Sequence, residues 1–137
     1  MSNQPYDFAQ ARAATAAASN NQRRAEQFVI DSTRAYAEAE RAYRKALASK
    51  IVELKAGGMA VTACGDVARG ESAVADLKYR RDVAEGVKEA AVQSSWRASG
   101  DRKAEQTFIE WSMRRDLAEG YHAPTGEGPT FGGRRAA

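Results

Sequence analysis

The chain has 137 residues and a mass of 14.8 kDa, with 43% hydrophobic and 28% charged positions, which is room for one ordinary soluble domain and too apolar for a wholly disordered chain. One cysteine and one histidine exclude an intramolecular disulfide and a Cys/His zinc site, and they point to a reducing compartment. The net charge of +3, from 21 basic and 18 acidic residues, describes a mixed surface that permits nucleic-acid contact without requiring it.

Alanine dominates the sequence, no proline stands between Pro5 and Pro124, and β-branched residues never gather into an alternating run. These features predict an all-α fold. Residues 1–20 pair a polar opening with the alanine run Ala13 to Ala18, which favours helix but offers little to bury. A frayed or partner-dependent segment is expected there.

From Asn21 to about Ala56 the pattern is that of a long amphipathic helix, with Asn20 or Asn21 as N-cap and Gly57-Gly58 as the stop. Ala25, Ser32, Ala39 and Ala46 recur every seven residues, as do Val29, Tyr36 and Tyr43, with Leu47, Ile51 and Leu54 joining further on. Two such rows make a coiled-coil-like seam with small residues on one side. A second helix is expected from Thr62, as N-cap, to about Ser99, weakened early by Gly65 and Gly70. Its row is Ala63, Gly70, Leu77, Ala84, Ala91 and Ala98, flanked by Val67, Val74 and Val87. Matching rows of small residues predict that the two helices fold back on one another as an antiparallel hairpin with close backbones.

Ser99-Gly100-Asp101 then predicts a break or a kink before a shorter third helix, about Asp101 to Glu119, with Ala104, Phe108 and Trp111 on one face and Ile109 and Met113 beside them. Residues 120–137 hold five glycines and two prolines without apolar periodicity and end in Arg134-Arg135, a disordered tail by composition. The chain thus divides into a segment 1–20, a helical domain 21–119 and a tail 120–137. Met1 to Ala18 lacks the apolar core of a signal peptide, and no apolar run approaches the roughly 18 residues of a membrane span. A cytoplasmic protein without membrane contact is expected.

Few residues suggest chemistry. Cys64 near a helix start has no second cysteine or histidine placed to assist it, so it reads as a small apolar filler. Carboxylates such as Glu38, Glu40, Glu85 and Glu89 stand among arginines and lysines at helical spacing, as in Glu40 with Arg44 or Asp76 with Arg80, and so read as surface ion pairs. The glycine-rich stretches lack the Gly-Lys-Ser/Thr ending of a phosphate loop and follow no strand. No catalytic residue, metal or cofactor is expected.

Basic residues carry more weight. The span Asn21 to Ala56 holds 8 basic and 5 acidic residues, against 6 of each from Thr62 to Ser99. Arg34, Arg41, Arg44 and Lys45, with Arg80 and Arg81 on the second helix, would contact phosphates if they shared a face, with Tyr43 or the tryptophans stacking on bases. Glu38 and Glu40 interrupt that stripe, which favours an ordinary solvated face. Trp96, Phe108 and Trp111 build either a small core across the hairpin or an apolar patch for a partner or a second copy. Alanine-rich seams bury little area at about 25 cal/mol per Å², so self-association into a homo-oligomer would supply missing burial.

The order of features is a long helix with Ala42-Tyr43-Arg44-Lys45-Ala46-Leu47-Ala48, a glycine turn, a second alanine-rich helix, then Trp96-Arg97 and Ile109-Glu110-Trp111-Ser112. It resembles small all-helical accessory proteins of actinobacterial tailed phages over about Asn21 to Glu119. The resemblance implies a phage or prophage setting, near genes for DNA metabolism, and carries over no catalytic or binding residue. Together these readings lead to a non-enzymatic protein-interaction or assembly module, with a nucleic-acid-binding accessory protein as the alternative.

Overall fold

A computed structural model of the chain describes residues 7–122, with side chains described as far as Glu119. Residues 1–6 and 123–137, Arg134 and Arg135 included, lie outside the described residues. The first three residues of the expected tail, 120–122, continue the last helix instead of ending it at Gly120. Three helices follow one another: α1 over Phe8–Ala56, α2 over Val61–Gly70 and α3 over Ser72–His122. Among the described residues there is no strand. The fold is the expected all-α hairpin, α1 packed against α3, with a third and shorter helix in contact with both.

Three boundaries differ from the sequence reading. The first helix starts at Phe8 rather than near Asn21, because Asp7 caps it: the Asp7 carboxylate accepts the Ala9 N–H at 2.9 Å. The alanine run therefore extends the hairpin, and Ala11 is buried. The expected break at Ser99-Gly100-Asp101 is absent, and α3 runs through it. A glycine inside a helix costs about 1 kcal/mol relative to alanine, whereas ending the helix there would forfeit the packing of everything beyond it on α1. A Cβ added at Gly100 meets nothing within 4 Å. Gly100→Ala should therefore raise the unfolding free energy by about 0.5–1 kcal/mol in a denaturant titration, and a loss of stability would show that the helix is interrupted in solution.

The interruption lies instead at Gly70 and Glu71. Glu71 is extended (φ −69°, ψ 135°), closes α2 and accepts the first hydrogen bond of α3 from Ala75 N–H at 2.8 Å. α2 thus becomes the short helix, and Ala60, not Thr62, occupies its N-cap. The bend lets Cys64, Ala68 and Val74 bury almost completely. Ala63, Gly70 and Val67 are exposed and take no part in the seam.

The stop after α1 is where the glycines placed it. Gly58, at φ 85°, adopts the left-handed conformation that a side chain disfavours. Its N–H bonds Lys55 O at 3.1 Å, and Met59 N–H reaches Leu54 O at 3.1 Å, the paired closure of a Schellman turn.

Register follows from three contacts. Arg81 lies over the Tyr43 ring, Lys88 lies over the Tyr36 ring, and Arg102 donates to Gln22 at 3.0 Å. Seven residues down α1, from Tyr43 to Tyr36, match seven up α3, from Arg81 to Lys88, and the next fourteen match as well. The same register sets Ala39 level with Ala84, Ser32 with Ala91, and Ala25 with Ala98. Both rows read from α1 therefore lie on the packed face, with Ser32 and Tyr43 buried and the others half-buried. Leu77, Ala84, Ala91 and Ala98 face them from α3, Ala91 being fully buried. Small residues on both sides let the two backbones approach closely.

Candidate interaction surface

The seam is filled by small residues and by a few large side chains paired across it. Aromatic side chains on α1 meet cationic ones on α3: the guanidinium carbon of Arg81 lies 4.7 Å from the Tyr43 ring centroid, and Lys88 Nζ lies 4.2 Å from that of Tyr36. Arg81 also donates to Asp82 at 2.6 Å and lies 3.5 Å from Glu40 Oε2. The hydrogen bond to Asp82 raises the Arg81 pKa further above its ordinary value, against the opposing effect of desolvation and with help from the charges of Asp82, Glu40 and Tyr43. The guanidinium thus stays charged at any working pH, and the cluster is a fixed strut. These pairings escaped the sequence reading, although the signal was present: tyrosines seven apart on one strand of a hairpin, cations seven apart on the other.

The six basic residues do not converge. Arg81 lies in the seam, and Arg44 pairs with Glu40 as its spacing suggested. Arg34, Arg41 and Lys45, at spacings of seven and four, share the side of α1 turned away from α3, and Arg80 stands apart from them on α3. The Cys64 thiol is fully buried and donates to Ala60 O at 3.3 Å, the position of an apolar filler. No group of three or more His, Cys, Asp or Glu side chains gathers among the described residues. No helix among them is long and apolar enough to cross a membrane.

Trp96, Phe108 and Trp111 form no core across the hairpin. They are 67%, 54% and 57% exposed, because α3 continues straight and carries them on its outer surfaces. Phe108 and Trp111, three residues apart, share one side of α3, and the Arg115 guanidinium lies 5.4 Å from the Trp111 ring centroid. Trp96 points to a different side.

The Phe108 side of α3 continues at spacings of three and four through Val83, Val87, Ala90, Ser94, Arg97, Asp101 and Ala104. Across the hairpin it is matched by Ala14, Ala17, Asn21, Arg24 and Phe28 of α1, which line one groove with Ser94, Arg97 and Asp101. Val83, Val87 and Phe28 are each more than 40% exposed. The sequence reading missed them because periodicity marks the strongest apolar row, and this flank is a second, weaker row beside it. No family model matches the sequence, and no curated protein or solved structure matches it either.

Proposed function

We propose that the chain is a non-enzymatic helical interaction module, of the kind carried by the small accessory proteins of actinobacterial tailed phages that it resembles, and that it works in the cytoplasm as part of a protein assembly. One observation carries the reading: a hairpin whose interior is mostly alanine leaves Phe28, Val83, Val87, Phe108 and Trp111 exposed along a single flank. Large apolar groups gathered on one side of a thin domain mark a surface that a partner covers. Of the six basic residues, Arg44 and Arg81 are held by Glu40 and Asp82, and Arg80 lies on α3 away from Arg34, Arg41 and Lys45. This supports the assembly role over the nucleic-acid alternative, since phosphate tracking needs a longer row of cations on one face.

Immobilised full-length chain should retain protein, either untagged copies of itself or components of a lysate. Replacing Val83 and Trp111 together by Asp should reduce that retention by on the order of tenfold, since aromatic anchors dominate such interfaces at about 2 kcal/mol or more each. Equal retention by the variant, with helicity intact, would remove the flank from the assignment.

A further inference from the structure

Resting on that reading, we infer that the partner of the Phe28/Val87/Phe108 flank is a second copy of this chain, docked side by side about a two-fold axis parallel to the helices to make an up-and-down four-helix bundle. The first argument is area. The chain exposes 11010 Å², whereas a compact folded chain of 14.8 kDa exposes about 7,000 Å². Residues 1–6 and 123–137, roughly 2.1 kDa, account for about 3,000 Å² of the difference if counted as fully extended. The surplus left on the hairpin exceeds the roughly 800 Å² that each partner of a standard-sized interface buries.

The second argument is self-complementarity, which selects a copy over an unrelated protein. In the register set by Tyr43 with Arg81 and Tyr36 with Lys88, three pairs of flank positions on α1 and α3 come within two residues of level: Ala14 with Phe108, Phe28 with Ser94, and Ala35 with Val87. Each of these three pairs holds one bulky and one small side chain, and the bulky one changes helix along the flank. A two-fold axis along the bundle sets α1 of one copy beside α3 of the other at the same height. These three bulky groups then meet small ones: the partner's Phe108 over Ala14, Phe28 over the partner's Ser94, the partner's Val87 over Ala35. Alternation of large and small residues across facing positions is how helix layers interdigitate, and an isologous interface requires this match of a surface with itself.

Sedimentation equilibrium of the full-length chain at physiological salt, up to about 100 µM, reads the proposal directly, because a dimer with a Kd of about 10 µM or tighter is mostly associated there. The expected mass is twice 14.8 kDa. Ala35→Arg, on the flank, should halve it while leaving the circular dichroism of a folded helical protein. Ile30→Arg, an exposed residue on the other side of α1, should leave the dimer intact. Val87→Arg is the second flank variant and carries the test should Ala35→Arg fail to fold. A wild-type monomer at all concentrations overturns the inference, as does a dimer that survives a folded flank variant. Either result leaves the interaction-module reading to the retention experiment, where binding of a different protein at this flank would uphold it.

Discussion

Tyr43→Ala should lower the unfolding free energy by about 3–5 kcal/mol, the range seen for truncating a buried aromatic side chain. Tyr43 is 7% exposed and is one of the few large groups in a seam otherwise built from alanine and serine. Its ring also supports the Arg81 guanidinium, which in turn stands beside Glu40, one of whose carboxylate oxygens is buried without a hydrogen bond. Loss of the ring therefore opens a void and releases a charged group that orders its neighbours. A domain of this size has a total stability of roughly 5–15 kcal/mol, so the variant approaches the unfolding threshold. The thermal midpoint should fall by roughly 10–20 °C. Tyr43→Phe retains the ring and should cost less than about 1 kcal/mol. A midpoint for Tyr43→Ala within two or three degrees of wild type, in a calorimetric scan at about micromolar concentration, would show that the seam does not depend on this stack.

Ala91→Leu is the complementary test, because it adds volume where Tyr43→Ala removes it. Ala91 is fully buried and stands level with Ser32, itself 4% exposed, so the extra carbons of leucine have no room unless the helices move apart. Overpacking of that kind costs about 1–3 kcal/mol, and Ala39→Leu and Ala84→Leu, one level along, should each cost a similar amount. Gln93, two residues beyond Ala91, is exposed and belongs to neither the seam nor the apolar flank, and leucine is as good a helix former as glutamine, so Gln93→Leu should change stability by less than about 0.5 kcal/mol. Chemical denaturation of the pair separates packing from propensity. Equal stabilities would mean that α1 and α3 lie further apart than their small residues imply.

The hairpin was legible because its seam repeats. Ala25, Ser32, Ala39 and Ala46, and Ala84, Ala91 and Ala98, recur every seven residues over several turns, and small residues repeated over that length mark a packed helix face. The stop at Gly57-Gly58 was equally plain, since Gly58 takes a conformation that other residues avoid. Local punctuation misled where packing outweighed it. Ser99-Gly100-Asp101 looks like a boundary, yet the helix crosses it because α1 extends alongside, and α1 extends that far because Asp7 caps it thirteen residues before Asn20. Conversely Gly70 resembles Gly100 in isolation, and only there does a bend bring Cys64, Ala68 and Val74 inward. The exposed apolar flank was half legible. Phe108 and Trp111 share a face as their spacing indicated, but Trp96 does not join them, and the part played by Phe28, Val83 and Val87 depends on how two distant stretches of chain lie level with each other. That is a property of register, and no single helix contains it.

The placement of the turn governs how such a molecule assembles. Lys50 and Val74 lie close to the bend, whereas Ala11 and Ser112 meet only after the whole of both long helices has been brought into line. Each successive level closes a longer loop, at an entropic cost that grows slowly with chain length. Folding from the bend outward keeps each new loop closure small, because the levels already formed hold the next pair near one another. The alanine rows alone would tolerate a slip of seven residues, since alanine would again meet alanine. Tyr43 and Tyr36, nearer the bend than the open end, choose between the alternatives early by finding Arg81 and Lys88. The open end is then the last part to close and the first to exchange its amide protons, and Phe108 and Trp111 sit on that most readily opened stretch.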